Sequence, residues 1–321
     1  MQAGQADGVF SGGGIKGLAF AGALQAAAEA GYDKWVRLAG TSAGAITAMA
    51  LAVGYNAKEL AAQLEAFDFS KIADYGPGGE LEIPLNLLRY KGATHGKVLY
   101  EWIEQLLAEA PDKVTTFGEL EELGKHELQV VGVDLAHTRM VVFPQDVALY
   151  VDENDKPLVP KEFRIADAVR ISAGFPYFFP PRSMRDAQTK KEGVLVDGGV
   201  ASAFPIFLFD KETPKHPTWG FRLFEGNPPE KPSYTEIDGL NWPIEMLKAI
   251  VNTSMNALDK LEMKAFAPRT ISIPTGDIET LDFSLDKKQQ EELYNFGFNA
   301  AKEFFEKKPD GVNTFGATPP A

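Results

Sequence analysis

Short apolar runs along the chain alternate with longer stretches in which apolar side chains recur every three or four positions. The short runs, at 9–10, 36–39, 128–133, 140–143, 194–196, 218–223 and 270–273, predict strands. The longer stretches predict helices over 18–30, 44–54, 58–67, 97–109, 116–125, 165–173, 243–265 and 287–307. In 243–265, Met246, Leu247, Ile250, Met255, Leu258 and Leu261 follow helical spacing, the pattern of an amphipathic helix docked on a sheet. Strands separated by helices imply an α/β fold, a three-layer α/β/α arrangement around a mostly parallel sheet. Such a sheet presents its site at the C-terminal ends of its strands.

Two stretches interrupt that alternation. Residues 68–96, punctuated by Gly76-Pro77-Gly78-Gly79 and His95-Gly96, form a long insertion, read either as a lid or as a plain surface excursion. Phe175-Pro176-Tyr177-Phe178-Phe179-Pro180-Pro181 concentrates aromatic rings and prolines. Core packing accounts for most of these rings; lining an acyl-chain pocket or touching a bilayer is the alternative for some. The tail from Pro309, rich in Pro, Gly and Thr, is expected to fray.

Composition narrows the partners. Among 321 residues, 45% are hydrophobic and 24% charged, enough for a sizeable core. The net charge of −13 argues against nucleic acid and against simple electrostatic attraction to an anionic membrane. Any lipid contact then rests on apolar side chains. The absence of cysteine removes disulfides, thiol nucleophiles and thiolate metal sites together. The N-terminus has neither a basic nor an apolar segment of the signal-peptide kind, and the longest apolar run, 43–53, is too short to span a bilayer. A cytoplasmic location is the default expectation, with leaderless export or a removed signal left open.

Three glycine-rich segments carry the candidate chemistry. Gly40-Thr41-Ser42-Ala43-Gly44 joins a strand to an apolar helix, the setting of a nucleophile elbow that pushes a serine Oγ out at the strand end. Gly12-Gly13-Gly14-Ile15-Lys16-Gly17 also joins a strand to a helix, where bare N–H groups can face an anion. Its G-x-G-x-x-G spacing also suits a dinucleotide, but the acidic residue needed at the end of the next strand is absent. Asp197-Gly198-Gly199 places a carboxylate at the end of a buried strand. The four histidines, His95, His126, His137 and His216, all read as loop or strand-end residues, so the elbow lacks a convincing histidine base.

Together these three segments resemble the signatures of the patatin-like phospholipases, in that family's order. The segment Ala166-Asp167-Ala168-Val169-Arg170-Ile171-Ser172-Ala173-Gly174-Phe175-Pro176 resembles the stretch before the family's aspartate strand, and the region from Thr270 to the helix near Phe305 resembles the end of bacterial members. Ser11 and Lys16 stand where aspartate and arginine are common. The resemblance implies a catalytic domain over 7–210, with 211–308 completing the same fold. It implies a Ser42–Asp197 dyad without metal or cofactor, and an oxyanion hole from the N–H groups of Gly12, Gly13 and Gly14. Lys16, Gly17, Gly40, Gly44, Gly198 and Gly199 support these motifs. The implied substrate is a phospholipid or other fatty-acyl ester, met at a membrane or micelle surface. For a free aspartate, whose pKa is about 3.9, to accept a serine proton, it must be desolvated. The alternatives are a catalytically weak lipid-binding module and a carboxylesterase with a full Ser-His-Asp triad, for which His216 is the histidine after Asp197.

Overall fold

The computed structural model describes residues 4–210, 215–224 and 266–307, with 226, 249 and 253 as single positions. In chain order its main elements are β1 (Gln5–Phe10), α1 (Ala19–Glu29), β2 (Lys34–Thr41), α2 (Ala43–Ala52), α3 (Ala57–Ala66), α4 (Ile83–Tyr90), α5 (Lys97–Glu109) and α6 (Phe117–Leu123). There follow β3 (Glu127–Asp134), β4 (Arg139–Phe143), β5 (Tyr150–Val151), α7 (Ile165–Ser172), β6 (Arg185–Asp186), β7 (Leu195–Asp197), β8 (Thr218–Phe224), β9 (Thr270–Pro274) and α8 (Lys287–Lys307). The helix expected over 243–265 and the tail from Pro309 lie outside the described residues, apart from 249 and 253. No helix among the described residues is long and apolar enough to cross a membrane.

Seven strands form the central sheet, in the order β4-β3-β2-β1-β8-β9, with β7 also on β3. Five of them run parallel, and β4 and β7 run antiparallel to β3. β4 reverses because a short turn with Thr138 at φ 50° returns the chain directly from β3. Helices flank the sheet in the expected three-layer α/β/α arrangement.

Packing follows from the apolar spacing. Phe10 of β1 and Phe221 of β8 stack at 4.9 Å, and Phe20 of α1 meets Phe10 edge-on at 5.4 Å. On the opposite face, Val9 and Ala39 are covered by Phe204, Ile206 and Phe209. The C-terminal helix is locked to the N-terminal one by two glycines. A Cβ on Gly22 would overlap the carbonyl of Tyr294, and one on Gly297 would overlap that of Ala19. The backbones of α1 and α8 are therefore in direct contact. Midway along β1 and β2, fully buried Asp7 is paired with Arg37 at 2.5 Å.

The 68–96 insertion is more ordered than its punctuation suggested. It contains two 3-10 turns, Phe69–Ile72 and Gly79–Glu82, and then α4, which begins with proline in its first turn. Helix α6 is shorter than expected. A capping box between Thr116 and Glu119 starts it and left-handed Gly124 ends it.

Candidate active site

β2 delivers Ser42 to the head of α2. The residue holds φ 56° and ψ −123°, a left-handed conformation that costs a non-glycine residue free energy, of order 1–3 kcal/mol. Its neighbours make the turn possible: a Cβ on Gly40 would strike the Gly44 carbonyl, and one on Gly44 would strike those of Phe10 and Ser11. A serine at a helix N-cap ordinarily bonds the first turn. The Ser42 side chain makes no such bond, and the residue lines a cavity instead. Its backbone N–H donates to the Oγ of Ser172, at the end of α7, at 2.9 Å.

Sheet register brings Asp197 to the same point. Thr41, the last residue of β2, faces Val131 of β3, while Asp197, the last residue of β7, faces the next residue, Gly132. β4 occupies the other edge of β3 over this stretch, so β2 and β7 share an edge and meet end to end. Ser42 and Asp197 are what follow from, and close, that junction. Asp197 is 4% exposed, and burial pushes its carboxyl up to about 7. The hydrogen bond from the Gly199 N–H, at 2.7 Å, pulls the other way, as does the polar Ser42 hydroxyl nearby. Desolvation thus supplies the proton affinity that a serine–aspartate pair requires.

The glycine loop lies across the mouth of this junction, and one expectation about it needs correction. The Gly12 N–H donates to the Ala203 carbonyl at 2.8 Å and is not available to an oxyanion. The N–H groups of Gly13 and Gly14 have no partner among the described residues, nor does that of Ala43 at the start of α2. These three are the candidate donors, and Ala43 was not singled out from sequence. Gly14, at φ 57°, sits so close to Thr280 that a Cβ would overlap its carbonyl. Lys16 is buried, and the cavity wall includes Ile15, Gly17 and Leu18 but not Lys16. That placement favours anchoring the loop over contributing potential to the site.

From Ser42 the cavity runs between helices. Ile46 and Thr47 of α2, Leu60 and Leu64 of α3, Phe69 and Ile72 of the insertion, and Leu99 and Trp102 of α5 line it. Phe175 and Phe179 form another wall, and Thr280, Leu281 and Phe283 a third. Of the aromatic–proline segment, then, two rings face the cavity. Phe178 packs on Phe179 and Phe283, and Tyr177 is exposed. Arg170, buried on α7, holds this wall: its guanidinium bonds the Gly96 and Pro180 carbonyls and lies 5.0 Å from the centre of the Phe179 ring.

No histidine lines the cavity. His126 bonds the Trp35 carbonyl at 2.7 Å, and His137 bonds Asp134 at 2.8 Å. His216 lies in a crevice with Val36 and Glu127, at the N-terminal ends of the strands. That is a strand length from Ser42, roughly 20 Å. Sequence reasoning missed Ser172 as a functional candidate. The available signal was a hydroxyl between Ile171 and Ala173 at the buried end of a helix.

A family profile for patatin-like phospholipases matches residues 8–210. YqhO of Bacillus subtilis (strain 168) is 35% identical over 311 residues, covering 94% of this chain and 98% of its own. A protein of Acanthamoeba polyphaga mimivirus is 26% identical over 312 residues and 91% of each chain. Among solved structures, VipD from Legionella pneumophila has a TM-score of 0.58 at 18% identity, over 94% of this chain and 67% of that one. The type III effector ExoU has a TM-score of 0.50 at 19% identity, over 95% of this chain and 53% of that one. These two likenesses show a common fold. The profile match spans the elbow, the glycine loop and the aspartate strand, and the chain belongs to the patatin-like phospholipase family.

Proposed function

We propose that this chain is a lipid acyl hydrolase of phospholipase A or lysophospholipase type, working through a Ser42–Asp197 dyad. The observation that carries the reading is a buried carboxyl, Asp197, in the wall of the same cavity as the elbow serine, with no histidine in that wall; burial raises its proton affinity. A base tuned near the working pH is the most effective proton acceptor. In the first step Asp197 takes the Ser42 proton as Oγ attacks the ester carbonyl. The carbonyl π electrons move to oxygen, facing the N–H groups of Gly13, Gly14 and Ala43. Each such donor contributes about 3–4 kcal/mol to oxyanion stabilisation. Collapse expels the alcohol or lysolipid, which takes the proton from Asp197. Water then repeats the sequence on the acyl-serine and releases the fatty acid. The apolar cavity between α2, α3 and α5 takes the acyl chain.

The test is fatty-acid release from a panel of defined phospholipids and acyl esters by the parent protein, Ser42→Ala and Asp197→Asn. Both variants should lose turnover while keeping their fold, and a fluorophosphonate should label Ser42. Parent-level hydrolysis by either variant sinks the dyad. A loss of several thousandfold in His216→Ala would favour a triad instead.

A further inference from the structure

A surface helix ordinarily turns its apolar stripe toward the core. Helix α4 does the reverse. Its one buried residue is Asn86, whose amide donates to the carbonyls of Tyr75 at 2.8 Å and Ala93 at 3.0 Å. Leu85 and Leu88 point outward, 60% and 86% exposed, and Leu81 in the turn ahead of the helix is 90% exposed. Among the described residues nine large hydrophobic side chains are exposed, and four of them fall between 81 and 90. With Asn86 bonded inside and Ile83 and Leu87 half-buried, the outward Leu85 and Leu88 are not accounted for by folding.

The segment that bears this face is tied to a segment of the cavity wall. Gly92, just past α4, pairs with Tyr177, and the Ala93 N–H donates to the Tyr177 carbonyl at 2.7 Å. Tyr177 is itself 54% exposed, while Phe175 and Phe179 on either side of it line the cavity. At the other end of the same insertion, Phe69 and Ile72 line it too. The insertion that carries the outward leucines and the segment that carries Tyr177 therefore each also supply part of the cavity wall.

Charge selects the occupant. At −13, two copies of the chain repel each other, and so do the chain and an anionic leaflet. A zwitterionic phospholipid surface carries no net charge. Tyr90 and Tyr177 suit its headgroup level, where amphipathic rings collect, and exposed Arg89 and Lys91 supply cations for lipid phosphates. We propose that the outward face of α4, with Tyr177, docks on a neutral phospholipid bilayer and sets the cavity against it; the proposal rests on the lipid-hydrolase reading above.

Sedimentation with phosphatidylcholine vesicles tests it on the full chain. The parent should pellet with the vesicles, and Leu85→Glu/Leu88→Glu should lower partitioning about tenfold or more. Leu135→Glu, an exposed leucine on the β3–β4 turn, should partition as the parent does. Hydrolysis of a soluble butyryl ester should be the same in all three proteins. Unchanged partitioning of the paired variant, or an equal loss in Leu135→Glu, overturns the proposal. So does a parent that is dimeric by ultracentrifugation and ignores vesicles while the paired variant is monomeric; that face would then bind a second copy. The hydrolase reading fails separately, if the parent cleaves the soluble ester no faster than Ser42→Ala, whatever the vesicles show.

Discussion

The backbone N–H of Ser42 donates to the hydroxyl of Ser172 at 2.9 Å, tying the strained elbow to the end of α7. Ser172 is fully buried, so nothing from solvent can replace it as acceptor. An orphaned buried donor costs about 1–3 kcal/mol. Ser172→Ala should therefore relax the left-handed Ser42 and reduce kcat by about tenfold or more, with KM little changed. Stopped-flow fluorophosphonate labelling would read the same loss as slower acylation. Labelling at the parent rate would mean that Ser172 only fills space.

Asp197 gives a pH profile with a definite sign. Acting as a base, it must be ionised, so kcat/KM should rise with pH through a midpoint near 7. Stability should move the other way. The folded carboxyl binds its proton more tightly than an unfolded one, so between about pH 4 and 7 the native state holds the extra proton. Stability from this group is then present at low pH and is lost as pH rises through the folded value. Asp197→Asn should be inactive yet melt at a higher temperature than the parent above neutrality. Melting curves at acid and alkaline pH check this; a variant less stable at both would show that the carboxylate is held by more than the Gly199 hydrogen bond.

The acyl cavity makes a chain-length prediction. Ile46 stands one helical turn beyond Ser42 in its wall. Ile46→Phe should narrow the route, lowering kcat/KM on palmitoyl esters at least tenfold relative to butyryl esters, while overpacking costs about 1–3 kcal/mol of stability. The ratio of the two substrates is the readout, because general damage to the fold lowers both alike. An unchanged ratio would place the acyl chain elsewhere.

The elements around the site were legible because their signals are local. A strand, a cluster of glycines and a helix within a dozen residues mark Ser42 and Gly13 without any knowledge of tertiary contacts. What escaped depends on distant partners. Gly12 reads like its neighbours, and only the approach of Ala203 takes its N–H away. Ser172 acquires its role from a turn far earlier in the chain. Helix α4 was hidden for another reason: with Asn86 inside and Leu85 and Leu88 outside, its pattern runs opposite to the one that periodicity is read for. The end-to-end meeting of β2 and β7 required the register of β3, which neither strand encodes by itself.

Stability and turnover should separate at the buried pair midway along β1 and β2. Asp7, fully buried in β1, receives the Arg37 backbone N–H at 3.1 Å and the guanidinium at 3.0 and 2.5 Å. The same guanidinium lies 4.6 Å from the centre of the Phe209 ring. Arg37→Met would leave the carboxylate buried without its countercharge, a loss of about 3–5 kcal/mol. Asp7→Asn combined with Arg37→Met removes both charges and should recover much of that loss. Because Arg37 lies five residues before Ser42 along β2, about 16 Å away, kcat per fluorophosphonate-labelled site should match the parent in both variants. Melting temperature and labelled-site turnover, measured on the same samples, decide the matter. If turnover per site falls along with stability, the frame of the sheet and the elbow are mechanically coupled.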